Sequence, residues 1–463
     1  MRNPASFSFL LRAIRRFSPS RSLLVLALLV VSASAANPPN VVLFYADDLG
    51  YRELGCYGHP EFRSPHIDSI ARNGIRFTQG YVSAPLCSPS RAGLMTGRYP
   101  TRFGHENNSM SPERSLPKAE TTLAQRMKAL GYATGMAGKW HLGSSPATLP
   151  TARGFDDYFG VLGNPGSYFQ PRGFIDSRLS TEVRDAPGKD FHTTEAFAAW
   201  AVDWIGRHRT GPWFLYFPFN AVHAPHEVTE KYLQRFAHIA DRQQRTLAAM
   251  VSAMDDAVGR VLQTIRDVGQ EQNTLVFFIS DNGAPGWEGR GRNGNLPLRG
   301  GKHTTWEGGI RLPFLVQWPG QLPAGKVEDR PVIQLDVLPT CVAAAGGKID
   351  PAWKLDGVNL LPHLTGRDPG RPHASLFWRI DGMWAVRDGD WKLVHGLAGK
   401  EPPELFDLAA DRGESNNLAA AQPGKVKELK ARWDAWNAEQ VPSRVSDEGR
   451  AKAKRRAEKK AAR

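Results

Sequence analysis

A chain of 463 residues exceeds the size at which one hydrophobic core stops growing, so a large domain with a smaller one beside it is expected, and 41% hydrophobic with 23% charged residues is the make-up of an ordinary soluble globular protein. Three cysteines, Cys56, Cys87 and Cys341, exclude a disulfide scaffold, although Cys56 and Cys341 are left to pair or stay reduced. The formal net charge of +13 is concentrated at the two ends, which leaves the body between them mildly basic and gives no reason to expect a nucleic-acid partner.

In chain order, Arg2, Arg12, Arg15, Arg16 and Arg21 precede the apolar run Leu23 to Val31, and Ala33-Ser34-Ala35 follows. This order predicts a secretory signal peptide over 1–35, because the run is far shorter than the ~20 residues that cross a bilayer. The mature chain is then exported, periplasmic or secreted, with no membrane span. Val41-Val-Leu-Phe-Tyr-Ala46 is an unbroken apolar stretch that ends in Asp47-Asp48, as suits a strand buried on both faces. Pro85-Leu-Cys-Ser-Pro-Ser-Arg-Ala-Gly-Leu-Met-Thr-Gly97 puts Cys87 at a helix start, with Pro89 in the first turn and Arg91 returning to the same side one turn later.

Strands and helices then alternate. Thr121 to Leu130 is an amphipathic helix stopped by Gly131, and Tyr132 to Ala137 a short strand. Thr194 to Arg207 is a helix followed by the strand Trp213 to Phe217; Gln243 to Val268 is a long helix followed by Thr274 to Ile279. This pattern predicts an α/β fold with a mainly parallel central sheet flanked by helices, over 36–350, and ligands beyond the C-terminal strand ends. From Pro351 the texture changes. Leu376 to Trp378, Met383 to Val386 and Trp391 to Val394, with Glu404 to Leu408 and a helix Lys425 to Glu439, predict a smaller antiparallel-sheet subdomain over 351–445. The Lys/Arg-rich end, 446–463, reads as a solvated, disordered tail.

Chemistry-bearing residues gather at the predicted strand ends. Asp47 and Asp48 are adjacent anions that call for a cation, and Asp281-Asn282 adds another carboxylate and an amide oxygen. An all-oxygen set favours Ca²⁺ or Mg²⁺ over Zn²⁺. Lys139 and His141, in Gly131 to His141, share one face if that segment is extended. His223 and His226 follow the strand Trp213 to Phe217, and Lys302 lies in the glycine-rich segment Arg299 to Arg311.

The Pro85–Gly97 stretch resembles the signature of the formylglycine-dependent sulfatase family throughout its length, and Gly131 to His141 resembles that family's second signature. With Asp47-Asp48, Asn220 to His226, Asp281-Asn282 and Arg299 to Arg311, the motifs run in family order. The Trp-Lys-Leu-Val and Glu-Leu-Phe-Asp-Leu segments resemble its C-terminal subdomain. The resemblance implies an alkaline phosphatase-like fold and hydrolysis of sulfate monoesters, of sulfated carbohydrate or aryl type. It implies that a maturation enzyme oxidises Cys87 to formylglycine, whose hydrated form is the nucleophile. One Ca²⁺ would be held by Asp47, Asp48, Asp281, Asn282 and the modified residue 87. Arg91, Lys139 and Lys302 would serve the nucleophile and the sulfate, His141 the diol, and His223 would protonate the leaving oxygen. Ser167 is a candidate for a family serine that touches sulfate, His226 a lesser candidate for substrate contact. Tyr168, Phe169 and Trp287 are candidates for stacking on a sugar or aryl ring, and Arg290 and Arg292 for neighbouring sulfates. The competing expectations are a phosphodiesterase or phosphonate monoester hydrolase, and a sulfated-glycan-binding protein in which Cys87 is never oxidised.

Overall fold

A computed structural model describes residues 38–444 apart from 113, 181, 183–187, 189–190, 288–289, 292 and 397–401, together with the backbone but not the side chains of 287, 290, 291 and 293. The expected signal peptide, the basic tail, Arg292 and the side chains of Trp287 and Arg290 therefore lie outside the described residues. The apolar runs become strands β1 (Asn40–Ala46), β2 (Ile75–Tyr81), β3 (Ala133–Lys139), β4 (Asp157–Val161), β5 (Phe174–Asp176), β6 (Trp213–Pro218) and β7 (Thr274–Ser280). They join a ten-stranded sheet in the order Lys326–Glu328, β2, Arg311–Gln317, β7, β1, β6, β3, β4, β5, with Val332–Ile333 also on β2. Only Arg311–Gln317 and β5 run against the others among the described residues, so the sheet is mainly parallel as expected.

Side-chain alternation explains why β1 is apolar at every position. Val42, Phe44 and Ala46 enter one core with the helices Thr193–Arg207 and Arg242–Asp267, whereas Val41, Leu43 and Tyr45 enter another with the helices Cys87–Thr96 and Leu123–Ala129. Cys56 packs against the first core and Cys341 lies in the second, and both are reduced.

The second sheet is antiparallel, Ser375–Ile380, Met383–Asp388, Trp391–His395 and Glu404–Asp407 in that order, covered by the helix Pro423–Ala438. Its core is shared with the first: Tyr81, Val82, Trp306 and Leu335 pack with Trp378, Val386, Phe406 and Trp433, and Trp378 Nε1 donates to Val82 O at 2.7 Å. Among the described residues no helix is long and apolar enough to cross a membrane.

Candidate active site

Parallel neighbours β1 and β7 end side by side, so the residues that leave them meet. Asp281 N–H donates to Ala46 O at 3.0 Å, and Asp48 N–H donates to Asp281 Oδ1 at 3.1 Å. Asp48 adopts the left-handed region (φ 59), which turns the chain sharply beneath the carboxylates. Asn282 Nδ2 donates to Asp48 Oδ1 at 2.7 Å, and its Oδ1 is buried without a hydrogen-bond partner. The side chains of Asp47, Asp48, Asp281 and Asn282 are all buried.

Cys87 is itself the first residue of the helix Cys87–Thr96, with Pro89 in its first turn, so its side chain stands at the helix N-terminus. Its Sγ lies 3.5 Å from Asp47 Oδ1 and 3.9 Å from Asp48 Oδ1. Burial pushes this thiol well above its ordinary range, and Asp281, Asp47 and Asp48 push the same way against Lys139. An unmodified Cys87 is therefore a neutral thiol and a poor nucleophile, unlike the thiolates of cysteine hydrolases.

Four cationic or potentially cationic groups converge on the acids. Arg91 donates from Nε (3.1 Å) and Nη2 (2.7 Å) to Asp281 Oδ2, and from Nη1 to Lys139 O at 3.0 Å. Lys139 Nζ, fully buried at the end of β3, reaches Asp47 Oδ2 at 2.5 Å and Asn164 Oδ1 at 2.6 Å. Lys302 Nζ holds both oxygens of Asp48, at 2.7 and 2.9 Å. His223 Nε2 is 3.7 Å from Asp48 Oδ2, while its Nδ1 lies 2.6 Å from Ala224 O, which requires the Nδ1 proton to be present. Burial raises the Asp47 carboxyl, but Lys139, His223, Arg91 and Lys302 outweigh it and hold Asp47 well below the usual range. Asp281 goes the other way: burial and the nearby Asp47 push it up to about 7 despite Arg91.

His141 departs from the extended geometry expected of Lys139-Trp140-His141. Its φ is 60, so period-two alternation fails there and the ring direction is set by the turn. The turn is held by His141 N–H to Leu162 O (2.8 Å) and by Ser88 Oγ donating to His141 O (2.6 Å). Burial, with help from Lys139 and Arg91, keeps this imidazole well below its ordinary pKa and hence neutral, and Nδ1 has no hydrogen-bond partner.

Two candidates are engaged within the protein. Tyr168 is buried, and its hydroxyl donates to Asn220 O (2.6 Å) and His223 O (2.8 Å), so it braces the His223 turn rather than offering a ring to substrate. Ser167 Oγ donates to Glu227 Oε2 at 2.8 Å and accepts from two backbone N–H groups of its own turn. Asn164, three residues earlier, is the side chain of this loop that touches Lys139, and sequence reasoning missed it. Its signal was the loop itself, Gly163 to Gly166 directly after β4. Phe169 packs edge-on against His192, with ring centroids 5.1 Å apart, and His226 is half-buried beyond Pro225.

The acids suit a hard cation. Asp47, Asp48, Cys87 and His223 place ligand atoms within 4.8 Å of one another, and the orphaned Asn282 oxygen beside Asp48 is an oxygen donor lacking a partner.

The Sulfatase family profile matches residues 39–347, and the profile described as N-sulphoglucosamine sulphohydrolase, C-terminal, matches 301–435. Arylsulfatase A of Homo sapiens is 35% identical over 463 residues, covering 88% of each chain. N-acetylgalactosamine-6-sulfatase of Homo sapiens is 36% identical over 445 residues, covering 84% of this chain and 83% of that one. Among solved structures, that of Ps i-CgsB in complex with k-i-k-neocarrahexaose superposes with a TM-score of 0.79 at 31% identity, over 88% of this chain and 94% of that one. With nearly all of its sheet-bearing length matched in sequence and in shape, the chain belongs to the sulfatase family.

Proposed function

We propose that the enzyme hydrolyses sulfate monoesters of carbohydrates or aryl alcohols, through formylglycine made from Cys87 and with one Ca²⁺ held by Asp47, Asp48, Asp281, Asn282 and residue 87. The observation that carries this reading is the seating of Cys87: a buried, protonated thiol at a helix N-terminus, against two carboxylates, where lysines and an arginine converge. Once in place, the hydrated aldehyde supplies one hydroxyl to attack sulfur and another to expel sulfate, and the cation supplies positive charge beside them.

The chain's own residues do the rest. Arg91 spans Asp281 and Asp47 (Nη2 3.6 Å from Asp47 Oδ2) and fixes their directions. Lys139 and Lys302, the first from β3 and the second from a distant loop, bind sulfate oxygens from two sides. Asn164 seats Lys139 from the open side. His223, its Nδ1 pinned by Ala224 O, presents Nε2 to protonate the leaving oxygen. His141, neutral and with its carbonyl held by the hydroxyl of Ser88, the residue after Cys87, accepts a proton during sulfate release. The names of the relatives, arylsulfatase A and N-acetylgalactosamine-6-sulfatase, fit a substrate of this class. The amino-terminal 1–35 segment supports export before action.

The test is release of inorganic sulfate and of phosphate from paired sulfate and phosphate esters, with the mass of the 85–97 peptide measured on the same sample. The aldehyde form is ~18 Da lighter than the thiol. Sulfate release by the lighter form is expected; preferential phosphate release makes the enzyme a phosphohydrolase, and an unmodified thiol in the native protein leaves only glycan binding.

His223→Ala is expected to lower kcat by about 10²–10⁴-fold on sugar sulfates, whose alkoxide leaving groups need a proton. On a nitrophenyl sulfate the loss shrinks, because that phenolate departs unaided. Equal losses on both substrates, measured side by side, remove His223 from the acid role.

A further inference from the structure

Behind the Lys302 loop lies a set of buried charges that the hydrolytic roles leave unused. Glu307, in the short helix Glu307–Ile310, is fully buried. Its carboxylate meets Lys392 Nζ at 2.8 Å, accepts from the Tyr81 hydroxyl at 2.6 Å and lies 3.3 Å from Arg311 Nη1. Lys392 is likewise fully buried, comes from the strand Trp391–His395 of the C-terminal sheet, and stands 2.8 Å from Glu414 Oε1. The other oxygen of Glu414 accepts the backbone N–H of Glu307 at 2.7 Å. Glu414 holds the left-handed region (φ 55), which is unfavourable for a side chain other than Asn or Asp and persists only where its surroundings dictate it.

The same loop is tied at its other end. Arg299 Nη1 donates to Glu404 Oε2 at 2.9 Å and to Glu414 O at 3.2 Å, and its guanidinium lies over the Trp306 ring at 3.7 Å. Gly308 N–H donates to Arg299 O at 2.7 Å and closes the loop. Between these anchors, Lys302 N–H donates to Ala284 O (3.2 Å) and His303 N–H to Pro85 O (2.9 Å), two residues before Cys87. The loop is thus anchored on its far side by Glu404, Glu414 and Lys392 of the C-terminal sheet and its connections, with Tyr81 and Thr78 of β2 also held by Glu307 and Arg311, and on its near side by Ala284 and Pro85 beside the site. Burial raises the Glu307 carboxyl, but Lys392, Arg311 and Arg387 outweigh it and hold it at about 2, so Glu307 is ionised, whereas burial pushes Glu414 up to about 7 despite Lys392. Buried ion clusters are commonly no more stabilising than apolar groups of the same size, so what this one supplies is geometry.

We propose that Lys392 is a positioning residue for sulfate binding: by seating Glu307 and Glu414 it fixes the Arg299–Arg311 loop so that the Lys302 ammonium stands over Asp48, and the C-terminal sheet thereby belongs to the framework of the active site. This rests on the reading of Lys302 as a sulfate-binding cation.

The experiment is a double-mutant cycle on the aldehyde-bearing, Ca²⁺-loaded enzyme. Lys392→Met removes the ammonium and keeps the stem. The charge-balanced Lys392→Met/Glu414→Gln serves where the single variant, with two buried acids facing no ammonium, does not fold. Each is measured alone and combined with Lys302→Ala, reading kcat/KM on one aryl sulfate and the inhibition constant of inorganic sulfate. The folded Lys392 variant is expected to lose about 10- to 100-fold in kcat/KM, as for misplacement of a binding group by about 1 Å, with a comparable weakening of sulfate inhibition. In the Lys302→Ala background the Lys392 change should then add almost nothing, because both act through one ammonium. An unchanged sulfate inhibition constant, or a loss that adds in full to that of Lys302→Ala, overturns the proposal and leaves Lys302 in its role. Full activity and sulfate affinity in Lys302→Ala alone overturn both.

Discussion

Cys87→Ala is expected to lower kcat by at least about 10⁴-fold on every sulfate ester, the scale on which removal of a covalent nucleophile acts. Folding should survive. The side chain is small and packed at the first position of its helix, and alanine keeps that turn, so the loss is about 1 kcal/mol for the missing sulfur. The carboxylates also remain, so a Ca²⁺-dependent rise in Tm should persist in the variant. Cys87→Ser discriminates further. A serine hydroxyl can take the sulfuryl group, but it has no geminal hydroxyl to expel it, so the variant should stop after one turnover as a sulfated protein or stay unreactive, readable by intact mass. Unreduced kcat in Cys87→Ala, with wild-type contamination excluded by mass, removes Cys87 from the chemistry.

The acids of the site were legible because Asp47 and Asp281 directly follow strands that read as unbroken apolar runs. Asp47 after β1, Lys139 at the end of β3 and Asp281 after β7 inherit their positions from the parallel strands β1, β3, β6 and β7, which end on one side of the sheet. The strands that escaped notice are those whose neighbours leave them partly open or kinked. β2, Ile75-Arg-Phe-Thr-Gln-Gly-Tyr81, mixes Arg76, Thr78 and Gln79 into half-buried positions and shows no apolar run. Arg311–Gln317 carries Pro313, and its register with β2 shifts between Leu312 and Phe314, so it looks like a loop in sequence although it is buried throughout. His141 was misjudged in direction because a left-handed turn leaves no mark in a Lys-Trp-His triplet. Tyr168 was left open between stacking and packing because a tyrosine that braces two carbonyls and one that stacks on a sugar have the same neighbours in sequence. The Lys392–Glu307 pair joins residues 85 apart, and nothing local to either announces the other.

Cation binding should depend steeply on pH below neutrality, and the site's acids say by how much. In the cation-free protein Asp281 is pushed up to about 7 by burial and by Asp47, whereas Asp47 is held well below the usual carboxylate range by its lysines despite burial. Asp281 therefore carries a proton at pH 5–6 that Ca²⁺ must displace, and Asp47 does not. One displaced proton makes the Ca²⁺ Kd fall about tenfold per pH unit well below 7, hence about 50-fold from pH 5 to pH 7, with the slope flattening from 7 upward. The sign for stability follows. A carboxyl raised in the folded state stabilises fully below its unfolded pKa, near 4, and loses that contribution as pH climbs through its folded value. The Asp281 contribution to the stability of the cation-free enzyme should thus fall from pH 4 to pH 7, against the opposite slope of the buried His141 and His105, and Ca²⁺ should restore more of it the higher the pH. Asp255 and Glu414, both also pushed up to about 7 by burial first, add slope of the same sign, but with or without the cation, so they cancel in the Ca²⁺-induced difference. Calorimetric titration in buffers of differing ionisation enthalpy should count about one proton released per Ca²⁺ at pH 6 and nearly none at pH 8. In Asp281→Asn the affinity should drop and the proton count vanish together. A Kd that is equal at pH 5.5 and 7.5, or a released proton that survives Asp281→Asn, places the titrating group elsewhere and removes Asp281 from the ligand set as drawn.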